Sequence, residues 1–336
     1  MNILVVIDKV ELKYFEFNDL VTNFWIIKEL LQRGNRVYIT TNNRLYLQDK
    51  TPYALCFETF VENENIFYKK EIHDIKVDDF NGVMFRSDPP VDNDYINATY
   101  VMDFAKKTKI INNTKSIRDF NEKLHSIRFS EYMPNYIVTA SMEKIEDFLF
   151  NNGEIILKPL DKCFGSGVMY LKYGDMNTRT IINMMTKDES SLVMVQQFIP
   201  AVKYGDKRVL TLGDTVMEEC VIKLPTKDDF KFNTHNDKYI RKGVLSASEK
   251  DNFTQVAKKL NEMGIYMAGL DVVDEKIIEI NVTSPCYFIR EINSNFCTNV
   301  EKKIVDYIES LIKENTSVVL PQLVKSSEYC FKTETV

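Results

Sequence analysis

An α/β fold spread over more than one domain is what this sequence predicts, and three observations carry the prediction. The chain has 336 residues, more than one core of ordinary size serves, so two or three domains are expected. It opens as strand, helix, strand: an apolar run at 2–8 ends in Asp8, helix-spaced apolar residues follow at Leu20, Phe24, Ile27 and Leu31, and 36–40 resumes a strand. That order calls for a parallel sheet. Nearer the C-terminal end, 268–291 reads as strand, polar turn at 274–276, strand. Side chains alternate along a strand, so Glu279 and Asn281 share a face with Ile278 and Ile280 opposite, and a closed hairpin brings Asp271 beside them. Two carboxylates and an amide oxygen on one face suit Mg²⁺ or make an ordinary solvated hairpin face; spacing alone leaves both open.

The remaining elements follow in order. Gly34 stands where a helix C′ residue belongs. Residues 41–79 read as a polar, hairpin-rich insert. Strand 81–86 runs into Ser87, Asp88, Pro89 and Pro90, which puts Arg86 at a strand's carboxyl end, where ligands collect in open α/β sheets; it is either an anion binder or a surface ion-pair arginine. A helix is expected over 92–107, a short strand at 110–113, and a loop with a helix over 116–128. The strand at 134–139 starts a new unit, with Ser141 ahead of an amphipathic run.

Strand 154–161 carries one lysine in an apolar run. Lysine is almost never fully buried without a partner, so Lys158 needs an anion. The loop 162–167 (KCFGSG) turns tightly and either offers N–H groups to phosphate or is a plain turn. A buried strand at 192–199 ends at Pro200, and 207–222 reads as a hairpin that Arg208 opens. Residues 225–243 are expected to form a mobile loop. Ser248 is expected to cap a helix over 253–263 ended by Gly264, and a last helix is expected at 300–312; the tail beyond Glu314 has no clear periodicity.

Composition narrows the function. Hydrophobic residues make up 44% and charged residues 27%, ordinary for a globular protein. A formal charge of −6 argues against a nucleic-acid partner, and no apolar run approaches a membrane span. The strand expected from Asn2 leaves no room for a signal peptide, and six cysteines without a C-x-x-C pair read as reduced thiols, so a cytoplasmic protein is expected. Three scattered histidines give a zinc site or a histidine triad little to build on.

Together the motifs 86–90 (RSDPP), 111–113 (INN), 118–123 (RDFNEK), 156–161 (ILKPLD), 205–210 (GDKRVL), 269–271 (GLD), 279–285 (EINVTSP) and 289–291 (IRE) resemble the ATP-grasp ligases, and more narrowly the bacterial glutathione synthetases, over roughly 1–312. The resemblance implies an ATP-grasp fold behind an N-terminal parallel-sheet domain. Its divisions are a substrate-side domain at 1–121, a small lid subdomain at 122–200, a C-terminal subdomain with the metal site at 201–315, and a tail at 316–336. It implies ATP with two Mg²⁺ ions, Mn²⁺ substituting, and a homo-oligomer, a tetramer by analogy. The reaction it implies joins γ-glutamylcysteine and glycine through an acyl phosphate. By the match, Lys123 and Lys158 neutralise ATP phosphates, Gly165, Ser166 and Gly167 close over them, and Gln197 and Ile199 meet the adenine edge through main-chain groups. Asp206 accepts from a ribose hydroxyl, Arg208 stabilises the transferring phosphoryl group or tetrahedral intermediate, and Asp271, Glu279 and Asn281 hold the metal. Arg86 and Arg290 take substrate carboxylates, with Lys231 and Asn233 contributing from the lid.

Three departures stand out, of which the lid and the segment after Pro285 concern substrate fit. The phosphate loop has fewer glycines than the family's, with Lys162, Cys163 and Phe164 in its first part. The lid 225–243 carries Lys231, Phe232 and Asn233 where the family has arginine, glycine and asparagine, so a bidentate fork becomes a point charge. The segment after Pro285 is also longer. A related ligase joining a different γ-glutamyl peptide or amine, and a non-catalytic ATP-binding relative, are the rival readings. Cys163 and Cys286 flank the expected site as apolar filler or as redox-active thiols.

Overall fold

Three sheets succeed one another along the chain in the computed structural model, which describes residues 1–9, 19–163, 165–225 and 239–328, with only the main chain described beyond 315. The first contains β1 (Asn2–Ile7), β2 (Arg36–Thr41), β3 (Leu45–Gln48), β4 (Thr51–Glu62), β5 (Asn65–Tyr68), β6 (His73–Lys76), β7 (Gly82–Phe85) and β8 (Lys109–Ile111). Its order is β3-β4-β2-β1-β7-β8, with β5 and β6 on β4; β2, β1, β7 and β8 run parallel, as the strand–helix–strand opening predicts. β1 is buried on both faces. Ile3, Val5 and Ile7 meet Phe24, Ile27 and Leu30 of helix α1 (Thr22–Gln32), while Leu4 and Val6 meet Tyr95 and Met102 of α2 (Asn93–Met102). That is why the strand is apolar throughout rather than alternating. Residues 41–79 are more than a polar insert: they supply four strands, and Ala54, Cys56, Ile66 and Val77 are fully buried in the two main cores. Their polar neighbours along the sequence face solvent and mask the signal.

A short helix α3 (Thr114–Asp119) leads to the second sheet, β9 (Tyr136–Thr139), β10 (Glu154–Pro159), β11 (Met169–Lys172) and β12 (Val193–Gln197), ordered β11-β10-β12-β9 and antiparallel throughout. Helices α4 (Met142–Asn152), whose N-cap Ser141 accepts from the Lys144 N–H, and α5 (Thr178–Thr186) cover it through Ile145, Leu149 and Ile182. Helix α5 has no counterpart among the elements expected from the sequence.

The third sheet holds β13 (Asp206–Leu212), β14 (Thr215–Val216), β15 (Cys220–Lys223), β16 (Ile240–Gly243), β17 (Met267–Val273) and β18 (Lys276–Asn281), ordered β16-β15-β13-β17-β18 with β14 on β13. The hairpin expected over 207–222 is interrupted between β14 and β15, where Met217 turns into the core. The segment expected to be a mobile loop includes a strand, β16; residues 226–238, with Lys231 and Asn233, lie outside the described residues. Helix α6 (Ala247–Glu262) is capped by Ser246 rather than Ser248. Ser246 Oγ accepts from the Glu249 N–H and the Glu249 carboxylate accepts in return from the Ser246 N–H, a capping box that Ser248, two residues further in and already helical, cannot form. After α7 (Ile289–Phe296), the last helix α8 begins at Val300 as expected and continues to Glu328, packing Val300, Ile304, Ile308 and Leu311 beside α1. Among the described residues, no helix is long and apolar enough to cross a membrane.

Candidate active site

One face of the third sheet changes character along its strands. Leu212 and Leu210 on β13 and Met267 on β17 belong to the core, whereas further along the same faces stand Arg208, Asp206 and Asp271. The second sheet lies over this polar end, and between them is a cavity of about 420 Å³.

The β17–β18 hairpin sets the polar end. Its turn residues Asp274 and Glu275 both adopt positive φ, the geometry of tight two-residue hairpins. The strands do not alternate as the sequence suggests. Asp271 pairs with Glu279 but Val272 pairs with Ile277, so Ile278 is an extra residue, a β-bulge. Ile277 and Ile280 therefore enter the core, while Ile278 joins Glu279 and Asn281 on the cavity wall instead of facing away with Ile280. The bulge also frees the Ile278 carbonyl, which accepts from Lys158 Nζ at 2.9 Å, across from the second sheet. Lys158 is thus the buried lysine of β10, satisfied by a main-chain oxygen and by nearby carboxylates.

Lys123 arrives from the linker between the first two sheets. Its Nζ lies 3.0 Å from Glu279 Oε1 and donates to the Lys162 carbonyl at 2.6 Å. The preceding Glu122 is half-buried and accepts from the N–H groups of Val282 and Thr283 at 2.8 and 3.1 Å, pinning the linker to the end of β18. Arg208 bridges Asp271 and Asp206, the latter at 2.7 Å, and Asn281 Nδ2 donates to Asp271 Oδ1 at 3.1 Å.

Charge balance here is governed by burial. Burial and Lys123 lower the proton affinity of the Lys158 amine, against Glu279 and Asp271. For Glu279, burial would raise the carboxyl, but Lys123 and Lys158 outweigh it and hold it below its ordinary value. Asp271 goes the other way: burial, and then Asp206 and Glu279, push it up to about 7 despite Arg208. A dication brought to this face would relieve that cost. The donors are hard oxygens, and Asn281 spends its nitrogen on Asp271, which leaves its amide oxygen for a cation. Among the described residues no group of three or more His, Cys, Asp or Glu side chains is placed to hold a metal ion by itself, so Asp271, Glu279 and the Asn281 oxygen would need further ligands from water or substrate. That fits Mg²⁺, which keeps waters and takes phosphate oxygens.

The other expected site residues divide. Gln197 and Ile199 line the cavity with Ile156, Val168 and Phe198. The Gln197 N–H is already bonded to the Asn135 carbonyl and the Ile199 carbonyl accepts from Val202, leaving the Ile199 N–H without an acceptor among the described residues. Asp206 lines the cavity but is fully buried against Arg208. Of the phosphate loop, Gly165 lines the cavity, while Ser166 and Gly167 are exposed and the Ser166 N–H is used within the turn by Cys163. Phe164 lies outside the described residues.

The expected carboxylate binders sit elsewhere. Arg86 is neither a surface residue nor a lining residue: it is 4% exposed and donates to Asn23, to the Pro285 carbonyl at 3.1 Å and to Ser284 Oγ at 3.4 Å. It fastens the 284–285 segment to the first sheet. Arg290 pairs with Glu291 at 2.7 Å and Asp19 at 3.5 Å and does not line the cavity. Conversely, Asp88, Thr283, Ser284 and Lys223 line it without having been anticipated. Lys223 carried the signal that found Lys158, a lysine closing an apolar strand.

The family profile described as "Prokaryotic glutathione synthetase, N-terminal domain" matches residues 1–118, and "Prokaryotic glutathione synthetase, ATP-grasp domain" matches 122–296. The chain is 34% identical to the glutathione synthetase of Vibrio parahaemolyticus over 296 residues, 87% of this chain and 93% of that one. With the glutathione synthetase of Buchnera aphidicola subsp. Baizongia pistaciae it shares 30% identity over 298 residues, 87% and 92% of the two chains. In fold it resembles the D-cycloserine synthetase DcsG (TM-score 0.65, 12% identity, covering 94% of this chain and 100% of that one). The D-alanyl-alanine synthetase A of Vibrio cholerae is similar too (TM-score 0.58, 11% identity, 94% and 98%).

Proposed function

Because this chain belongs to the prokaryotic glutathione synthetase family, whose members are ATP-dependent ligases of the ATP-grasp fold, we propose that it joins the cysteinyl carboxylate of γ-glutamylcysteine to the amine of glycine. The observation that carries this reading is the convergence of Lys158 and Arg208 on the Asp271–Glu279–Asn281 face in one cavity, with Lys123 reaching that face through Glu279.

The chemistry sets two anions against each other. A carboxylate oxygen attacks the γ-phosphorus of ATP, ADP departs, the amine attacks the acyl phosphate carbon, and phosphate leaves as the amide forms. Phosphoryl transfer of this kind depends on positioning and charge compensation. Lys123 and Lys158 orient the phosphates, and both stand ready because Glu279 and the Ile278 carbonyl hold them in place. Arg208, fixed on two carboxylates, presents its remaining donors to the transferring group. Asp271, Glu279 and Asn281 would hold Mg²⁺, in two ions by the family pattern, and the metal would supply electrostatic neutralisation of the phosphates. The apolar wall of Ile156, Val168 and Phe198 receives the adenine, with the Ile199 N–H as its main-chain donor. The three sheets would then correspond to a substrate-side domain (1–121), a lid (122–200) and a metal-bearing subdomain (201–315), in a homo-tetramer of the cytoplasm.

Phosphate release from ATP tests the proposal. It is expected only when γ-glutamylcysteine and glycine are both present, and glycine should outperform every other amine in a panel. No release with that pair, or a far better amine, would refute the substrate assignment.

A further inference from the structure

We infer that Lys223 receives the carboxylate of the γ-glutamyl substrate that does not react, the α-carboxylate of its glutamyl unit. The inference rests on the ligase reading above and assigns a specificity residue within that site.

Lys223 closes β15 directly across from Asp206 on β13, is 6% exposed and lines the cavity. Among the described residues its ammonium makes no hydrogen bond and no ion pair; its neighbour is the Phe288 ring, 5.5 Å away. Every other cation of the site is spoken for: Lys123 by Glu279, Lys158 by the Ile278 carbonyl, Arg208 by Asp271 and Asp206. An ammonium withdrawn from water without a hydrogen-bond acceptor is costly, and burial and then Arg208 lower its proton affinity against the opposing pull of Asp206 and Asp271. The arrangement becomes favourable when an anion arrives from outside.

Position indicates which anion. The phosphate-directed groups converge on β17 and β18, whereas β15 lies on the opposite flank of β13. There the cavity wall is Cys286 and Phe288, from the segment following β18. Phe288 holds φ +52 in the left-handed region, unusual for a bulky side chain, and its ring is 4% exposed, so it gives the amine a fixed platform. The arginines that could have served are committed: Arg86 to Asn23, Ser284 and Pro285, Arg290 to Glu291 and Asp19. A γ-glutamyl substrate brings two carboxylates, one to be activated beside Arg208 and one that stays ionised and needs a cation.

The test uses full-length enzyme, steady-state phosphate release, and γ-glutamylcysteine compared with the analogue whose glutamyl α-carboxylate is a carboxamide. Wild-type enzyme is expected to show a KM about 10–100-fold higher for the carboxamide, the loss typical of a desolvated charged contact. Lys223→Met should raise the KM for γ-glutamylcysteine by a similar factor, leave the KM for ATP nearly unchanged, and treat carboxylate and carboxamide alike. Lys223→Arg should recover most of the discrimination, which a merely structural role would not require. A Lys223→Met enzyme that still discriminates like wild type, or whose defect lies in the KM for ATP, overturns the assignment. So does wild-type indifference to the carboxamide, a result independent of whether any variant folds. Failure of wild type to turn over γ-glutamylcysteine with glycine would instead overturn the ligase reading on which this one rests.

Discussion

Replacing Lys158 by methionine separates chemistry from folding. Lys158 is 7% exposed and its ammonium donates one hydrogen bond, to the Ile278 carbonyl at 2.9 Å. Losing a charged donor to a main-chain oxygen costs about 1.5–3 kcal/mol, while removing a desolvated ammonium returns a comparable amount. Methionine matches the stem in volume, so the net change in stability should stay within about 1 kcal/mol and the melting temperature within about 4 °C. Turnover should behave differently. A charge-assisted contact to a phosphate contributes about 1.5–3 kcal/mol, about 10–150-fold in binding, and a preorganised donor to the transferring group adds about 10²–10³ in kcat. The expected loss in kcat/KM for ATP is thus about 10³-fold or more. Coupled ADP release and thermal melting on the same preparations measure both quantities. A kcat/KM within about tenfold of wild type, with melting unchanged, would show that Lys158 does not meet the phosphates. A collapse in melting temperature would show that its role is structural.

Two further outcomes bear on the frame that holds the site. Asn112→Ala should cost about 2–4 kcal/mol, because Asn112, buried at the edge of the first sheet, donates to the Met267 and Val282 carbonyls at 2.7 and 2.9 Å and accepts from the Met267 N–H at 2.9 Å. Urea unfolding measures it, and a loss under about 0.5 kcal/mol would refute the role of these bonds. Asp88 is pushed up to about 6, by burial first and then by Asp8, against Ser284 and Arg86. The native state then binds this proton more tightly than the unfolded chain, so stability is greatest below the ordinary carboxyl value and falls as pH rises to about 6, by about 3 kcal/mol in all. Asp88→Asn should flatten that part of the urea-midpoint profile, and an unchanged slope would place the titration elsewhere.

The candidate site was legible in the sequence where one strand sufficed to define it. Alternation placed Glu279 and Asn281 on one face, and the closed hairpin brought Asp271 opposite Glu279. The bulge at Ile278 was not legible, because an extra residue leaves no mark in a run of isoleucines and is fixed by which of them the core accepts. Lys158 and Lys223 close apolar strands in the same way, yet only the fold distinguishes the one bonded to a main-chain oxygen from the one facing a ring. Ser246 and Ser248 are equally good caps by composition; the bond that Glu249 returns to the Ser246 N–H decides between them.

The sequence alone determined the order of elements, the parallel sheet at the front, the family and the identity of the charged groups, since periodicity and motif spacing are local properties of a chain. The tertiary structure decided which cation meets which anion. It gave Arg86 to Asn23 and Pro285, Arg290 to Glu291 and Asp19, and Lys123 to Glu279, partners up to 271 residues apart along the chain. Coulomb attraction depends on distance through space and desolvation on burial, and neither can be read from a residue's neighbours in sequence.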